Sequence, residues 1–279
     1  MELKTFDFKT FEELDNNVFI TIVGMTKSGK GYFAHEALYH LNKSKTAGQY
    51  KDIFLFSKTA HIQDPKKYFP MIPLNRRYDD LGNIEKIMEI RKESKNKNNV
   101  MIILDDVTSM TENGKMFRNS ESVINIATHG RHLNISCLCL LQKDTLVSPI
   151  IRTNSSYIVS FLPKSHRDLV SVKERYLSLI DKKTADEIFK TVFSTPYQCL
   201  VVDQATSGVV NLLDFVYKCI APAKLRKYNL NIFKSKNNIS NNNIDEINEI
   251  NKAFRTFYPG ESANKWKIQT HRGTKKGNN

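Results

Sequence analysis

Residues 24–30 read Gly24-Met25-Thr26-Lys27-Ser28-Gly29-Lys30, the spacing G-x-x-x-x-G-K. Two glycines set this far apart let a backbone fold around an anion so that successive N–H groups point at it. A lysine directly after them reaches phosphate oxygens further along the same ligand. A helix must begin at once, because its first amides add positive potential. The chain's glycine and lysine content gives about 0.05 such matches by chance. The segment is therefore read as a nucleotide site made by Gly24, Met25, Thr26, Lys27, Ser28, Gly29, Lys30, Gly31 and Tyr32.

Seventy-five residues after Lys30, an apolar tetrad Met101-Ile102-Ile103-Leu104 ends in Asp105-Asp106. A strand that ends in two carboxylates beside a phosphate loop can do two jobs. Asp105 can position Mg²⁺ and its waters, and Asp106 can take a proton from an attacking water. A pair that merely caps the next turn is the other reading of the same residues. Together, loop and pair imply ATP, with Asp105 as the residue on the metal side. One position departs from the pattern. The residue after the lysine normally offers a Ser or Thr hydroxyl to Mg²⁺, and here it is Gly31. A further water can replace that hydroxyl, because Mg²⁺ keeps several waters readily. The expectation is weaker metal binding, seen as a higher Mg²⁺ requirement, without abolished activity. Thr26 and Ser28 precede Lys30 and are expected to face the wrong side of the phosphates.

These side chains need a scaffold of strands ending at one edge. Val18-Phe19-Ile20-Thr21-Ile22-Val23 is β-branched and apolar, so it predicts a buried strand leading into the loop. From Gly31 onward Phe33, Ala34, Ala37, Leu38 and Leu41 recur at helical spacing. Further strands are predicted at 53–56, 101–104, 135–141 and 157–162, and helices at 83–91, 120–129, 169–180 and 183–193. Segments 198–202 and 209–215, joined by 203–208, read as a hairpin. Residues 1–16 alternate apolar and charged positions and suggest a lead-in strand or arm. Strands alternating with helices imply an α/β fold with a mainly parallel sheet sandwiched by helices.

The chain has 279 residues with 40% hydrophobic and 10% aromatic content, enough for a core, which excludes a wholly disordered protein. No apolar run approaches the roughly 18 residues a membrane span needs, and the start Met1-Glu2-Leu3-Lys4 lacks a signal-peptide layout. Four cysteines at this length do not make a disulfide framework; Cys137 and Cys139 read as core thiols on one strand face, fitting a reducing compartment. The net charge of +13 is uneven: from Lys224 onward 12 Lys+Arg face 4 Asp+Glu. The chain is thus divided into a domain at 1–222 and a basic, Asn-rich tail at 223–279 with a short helix predicted near 244–257. Such a tail suits a polyanion, nucleic acid first, or serves solubility alone.

Ala127-Thr128-His129-Gly130-Arg131-His132-Leu133-Asn134-Ile135-Ser136 precedes an apolar strand that ends in Gln142. With the phosphate loop, Ile53-Phe54-Leu55-Phe56-Ser57 and Leu104-Asp105-Asp106, these residues follow one order over about 125 positions. The chain resembles the viral genome-packaging ATPases of the poxvirus type, within the FtsK–HerA superfamily of P-loop NTPases. The resemblance implies the additional-strand class of P-loop fold, in which a strand between the acidic one and the next ends in a polar γ-phosphate sensor. It implies a homo-oligomeric ring that hydrolyses ATP with Mg²⁺ and drives double-stranded DNA into a capsid, docking on a capsid or portal-vertex protein. The setting it implies is the host cytoplasm or viral factory, with association to the virion. Gln142 matches the γ-phosphate sensor, and Arg131 the arginine that reaches a neighbouring subunit's nucleotide. Arg152, ten residues after Gln142, is the alternative finger. Two rival classes stay open: an assembly factor locked by nucleotide, and a basic DNA-binding structural protein.

Overall fold

The computed structural model describes residues 2–59, 62–63, 68–94, 98–112, 115–206 and 211–224. The basic tail from residue 225 and its predicted helix lie outside the described residues, as do residues 207–210, the end of the predicted connection 203–208 and the start of the predicted strand 209–215. In chain order the elements are β1 (Phe19–Val23), α1 (Lys30–Leu41), β2 (Asp52–Phe56), β3 (Arg77–Tyr78), α2 (Gly82–Glu93), β4 (Val100–Asp105), β5 (Thr111–Glu112), β6 (Lys115–Met116), α3 (Glu121–His129), β7 (Ile135–Leu141), α4 (Pro149–Asn154), β8 (Tyr157–Phe161), α5 (His166–Tyr176), α6 (Lys182–Val192), β9 (Gln198–Asp203) and β10 (Val216–Ile220).

The main sheet runs β10-β9-β8-β1-β7-β4-β2-β3. The six strands from β8 to β3 are parallel, and β9 turns antiparallel to both its neighbours. β7 is inserted between β1 and β4, so this is the additional-strand P-loop architecture. β1, β7 and β8 are buried along their whole length. That is why they read as unbroken apolar runs rather than alternating ones. One face of the sheet packs Val23, Phe56, Leu104, Cys137 and Cys139 against α2, α3 and α4. α1 covers the opposite face, toward which Ile20 and Ile22 alternate, and its Phe33, Ala34, Ala37, Leu38 and Leu41 are fully buried. α5 and α6 cover β8, β9 and β10 through Val172, Tyr176, Ile188 and Phe189. Among the described residues no helix is long and apolar enough to cross a membrane.

Several elements differ from expectation for local reasons. The N-terminal segment makes one bridge, Thr5 to Lys218, and then a 3-10 turn at Phe8–Glu12 that Asp7 caps. Its apolar residues Leu3, Phe6 and Phe11 are buried, with Phe11 edge-on to Tyr157. α5 starts three residues early because Ser165 caps it, accepting from the Asp168 amide. It stops at Tyr176, and the next helix is capped by Asp181. α4 was not foreseen, although Ser148-Pro149 is a helix start. The last strand is β10 and not 209–215: Asn211 accepts from the Leu213 amide and opens a 3-10 turn at Leu212–Phe215, which delays the strand. The antiparallel β9–β10 pairing itself is present.

Candidate active site

Register brings the chemistry to one edge. Val23 lies opposite Leu141, and Asp105 opposite Leu140. The residues that follow β1, β4 and β7 therefore emerge side by side: the phosphate loop, Asp106 and Gln142. This is the carboxyl edge of the parallel sheet, where open α/β folds bind ligands.

The loop glycines are required by their surroundings. A Cβ on Gly24 would lie 2.5 Å from Ser28 Oγ and 2.9 Å from Phe161 Cβ. Gly29 has φ +105°, and a Cβ there would meet Ala221 Cβ at 3.0 Å. β8 and the residues after β10 thus press on the loop from beneath, which the spacing alone does not disclose. Ser28 donates its amide to the Met25 carbonyl at 3.2 Å, closing the loop as a tight turn. Phe33 N–H to Gly29 O at 3.0 Å is the first helical bond. The amides of Lys30, Gly31 and Tyr32 precede it and have no intrahelical acceptor. Ser28 Oγ is buried with no hydrogen-bond partner among the described residues. The free amides and the lysine suit a phosphate chain. Thr26, Lys27 and Gly31 are exposed, and Tyr32 is 41% exposed beside them.

Asp105 ends β4 and accepts from Tyr68 Oη at 2.7 Å. Burial pushes its carboxyl above the ordinary aspartate range. The Tyr68 hydrogen bond and the Lys30 charge oppose that push, while Asp106 adds to it. The field of Lys30 on Asp105 puts loop and carboxylate in one electrostatic unit. Asp106 has φ +54°, a left-handed conformation that a non-glycine residue adopts only when its surroundings impose it. There its Oδ1 accepts from Gln142 Nε2 at 3.1 Å. The predicted base and the predicted sensor are therefore in direct contact. The loop after Gln142 is anchored by Asp144, which is 2% exposed and accepts from Ser171, Arg175 and Tyr176 of α5.

Arg131 is not part of this cluster. It sits in the 3-10 turn Gly130–Leu133, before β7 begins, while Gln142 follows the other end of that strand. Seven strand residues at roughly 3.3 Å each separate the two edges. Arg131 is exposed and has no ion pair among the described residues. It cannot serve the phosphate loop of its own chain. Arg152 is half-buried in α4 and donates through Nη2 to the Val147 carbonyl at 3.3 Å, so it is turned inward. Tyr68 was missed altogether. It lies in a stretch interrupted by Pro65, Pro70 and Pro73, with no motif to flag it.

The fold has solved relatives. The packaging NTPase B204 of Sulfolobus turreted icosahedral virus 2, in complex with ATP-gammaS, superposes with a TM-score of 0.51 at 17% identity, over 74% of this chain and 100% of that one. The pCW3 conjugation coupling protein TcpA, in monomer form with ATPgS, gives 0.50 at 15% identity, over 77% of this chain and 68% of that one. These likenesses show a shared P-loop NTPase fold. No curated protein sequence matches the chain. The family model for the poxvirus A32 protein matches residues 4–209, nearly the whole of the described domain and every residue of the cluster. With the loop, the acidic pair and the sensor strand all inside that match, the chain is a member of the poxvirus A32 protein family.

Proposed function

We propose that this protein is the ATPase motor that packages double-stranded viral DNA into a capsid. The observation that carries the reading is the contact of Gln142 with Asp106 on the edge that bears the phosphate loop. Membership of the poxvirus A32 family and a fold shared with a packaging NTPase support it.

In this reading the loop amides and Lys30 hold the triphosphate of ATP. Asp105 would hold the waters of Mg²⁺, which would supply charge to offset that of the phosphoryl oxygens. Gly31 contributes no hydroxyl, so the metal would keep one more water. Asp106 accepts the proton of the attacking water as its oxygen bonds the γ-phosphorus and the bond to the β–γ bridging oxygen breaks. Gln142 fixes one oxygen of Asp106 and leaves the other to the water. Loss of the γ-phosphate then alters the partners of Gln142, and the loop tied to α5 through Asp144 carries the change outward. Arg131, out of reach of its own site, supplies charge to the neighbour's nucleotide in a head-to-tail ring. The basic tail adds sequence-independent affinity by counterion release.

Steady-state ATP hydrolysis with and without duplex DNA tests this. A motor hydrolyses ATP and is stimulated by DNA. A nucleotide-locked assembly factor binds ATP and does not turn it over. A basic structural protein binds DNA with no dependence on Lys30, so Lys30→Ala, which removes nucleotide binding in the motor, leaves it unchanged.

A further inference from the structure

The sheet edge holds a polar side chain, Tyr68, that the reaction above does not use. Tyr68 Oη donates to Asp105 Oδ2 at 2.7 Å, with Ser57 Oγ 3.5 Å from the same hydroxyl. The backbone that carries Tyr68 is fixed from two sides. Arg77, first residue of β3 and 3% exposed, donates through Nη2 to the carbonyls of Tyr68 at 2.9 Å, Phe69 at 2.8 Å and Ile72 at 3.0 Å. Phe69, with φ +48° and 1% exposure, stacks on His35 of α1 at 4.4 Å and 10°. The segment is therefore clamped to the edge strand of the sheet and to the helix that starts at the phosphate-loop lysine. A single phenolic hydroxyl is delivered to a single carboxylate oxygen.

The departure at Gly31 gives this a purpose. Among the described residues a Cβ there would meet no heavy atom within 4 Å beyond its chain neighbours and its own helix, so the place is open. Metal orientation then falls on one carboxylate, which the Tyr68 hydroxyl and the Asp106 amide hold against turning about its own bond. We infer that Tyr68 is a positioning residue for Asp105: it occupies Oδ2, sets the carboxylate plane and leaves Oδ1 to the metal's waters, compensating for the hydroxyl absent at Gly31. This rests on the assignment of Asp105 to the metal. Partners that orient a metal-holding side chain typically matter by about 10–100-fold in metal affinity.

The test is Mn²⁺ binding to the full-length protein with a non-hydrolysable ATP analogue, followed by electron paramagnetic resonance, which needs no turnover. Tyr68→Phe removes one oxygen and keeps the ring. It should weaken Mn²⁺ binding by about tenfold, while affinity for the analogue in chelator stays at the wild-type value and reports an intact fold. Adding Gly31→Ser should remove most of that loss, because a restored hydroxyl no longer leaves orientation to Asp105 alone. Wild-type Mn²⁺ affinity in Tyr68→Phe overturns the inference, and so does a loss that Gly31→Ser leaves at full size. Asp105→Asn separates the two layers. If it too binds Mn²⁺ normally, the assignment of Asp105 fails. If it loses the metal while Tyr68→Phe does not, only the role of Tyr68 fails.

Discussion

Asp106 and Gln142 share a hydrogen bond at 3.1 Å while Asp106 holds a left-handed backbone. An amide at 106 can still accept from Gln142 through its oxygen, so Asp106→Asn preserves the contact and removes only proton acceptance. Hydrolysis should fall by about 10²–10⁴-fold with ATP affinity unchanged, measured by single-turnover kinetics and nucleotide titration. Near-normal turnover would remove Asp106 from the role of base. At Gly31 the open space around a Cβ means that serine enters without a clash. Gly31→Ser should lower the Mg²⁺ concentration for half-maximal hydrolysis, and gain about 0.5 kcal/mol from helix propensity. A Mg²⁺ titration of both proteins checks it. The loop and the acidic pair were legible in the sequence because each is fixed by its place at the end of an apolar strand, and Gln142 was legible through the resemblance. Tyr68 and Phe161 were not, since their roles arise from where non-adjacent segments meet at the sheet edge.

Among the elements, α1 carries a pH-sensitive feature. Burial lowers the His35 imidazole to about 4, and the ring is stacked on Phe69. The unfolded chain takes up that proton near the ordinary value of 6.5, and the folded chain only near 4. Between these values the unfolded state holds more protons, so stability present above 6.5 is lost as pH falls toward 4. The full loss at the acid end is about 3 kcal/mol. His35→Phe keeps the stack and should flatten this part of the pH profile, read from denaturant midpoints between pH 7 and pH 4. Parallel profiles for the two proteins would contradict the assignment. The buried strands and α1 were legible, because a strand covered on both faces shows as a continuous apolar run. Capping decided what was not: Ser165 moved the start of α5, Asn211 delayed β10, and Ser148-Pro149 made α4. The strand order was not legible, since periodicity does not say that β7 lies between β1 and β4.

At the scale of the whole molecule, Arg131 and the phosphate loop occupy opposite edges of one sheet, so in the proposed reading Arg131 acts on a neighbouring chain's nucleotide. Arg131→Ala should bind ATP normally and hydrolyse it poorly. Mixed with inactive Lys30→Ala protein, it should regain activity, because one interface in the mixed assembly joins an intact loop to an intact arginine. Mixed assemblies with no gain at any ratio would exclude action between subunits. The central claim, however, is that hydrolysis moves DNA, and hydrolysis alone does not establish that. The direct measurement is displacement of a fluorescent third strand bound at one end of a long duplex. Wild-type protein should release the strand only with ATP, after a delay that grows with the length of duplex between loading site and third strand, while Asp106→Asn releases none. Vigorous DNA-stimulated hydrolysis without displacement, or displacement independent of ATP, would contradict the account of this protein as a packaging motor.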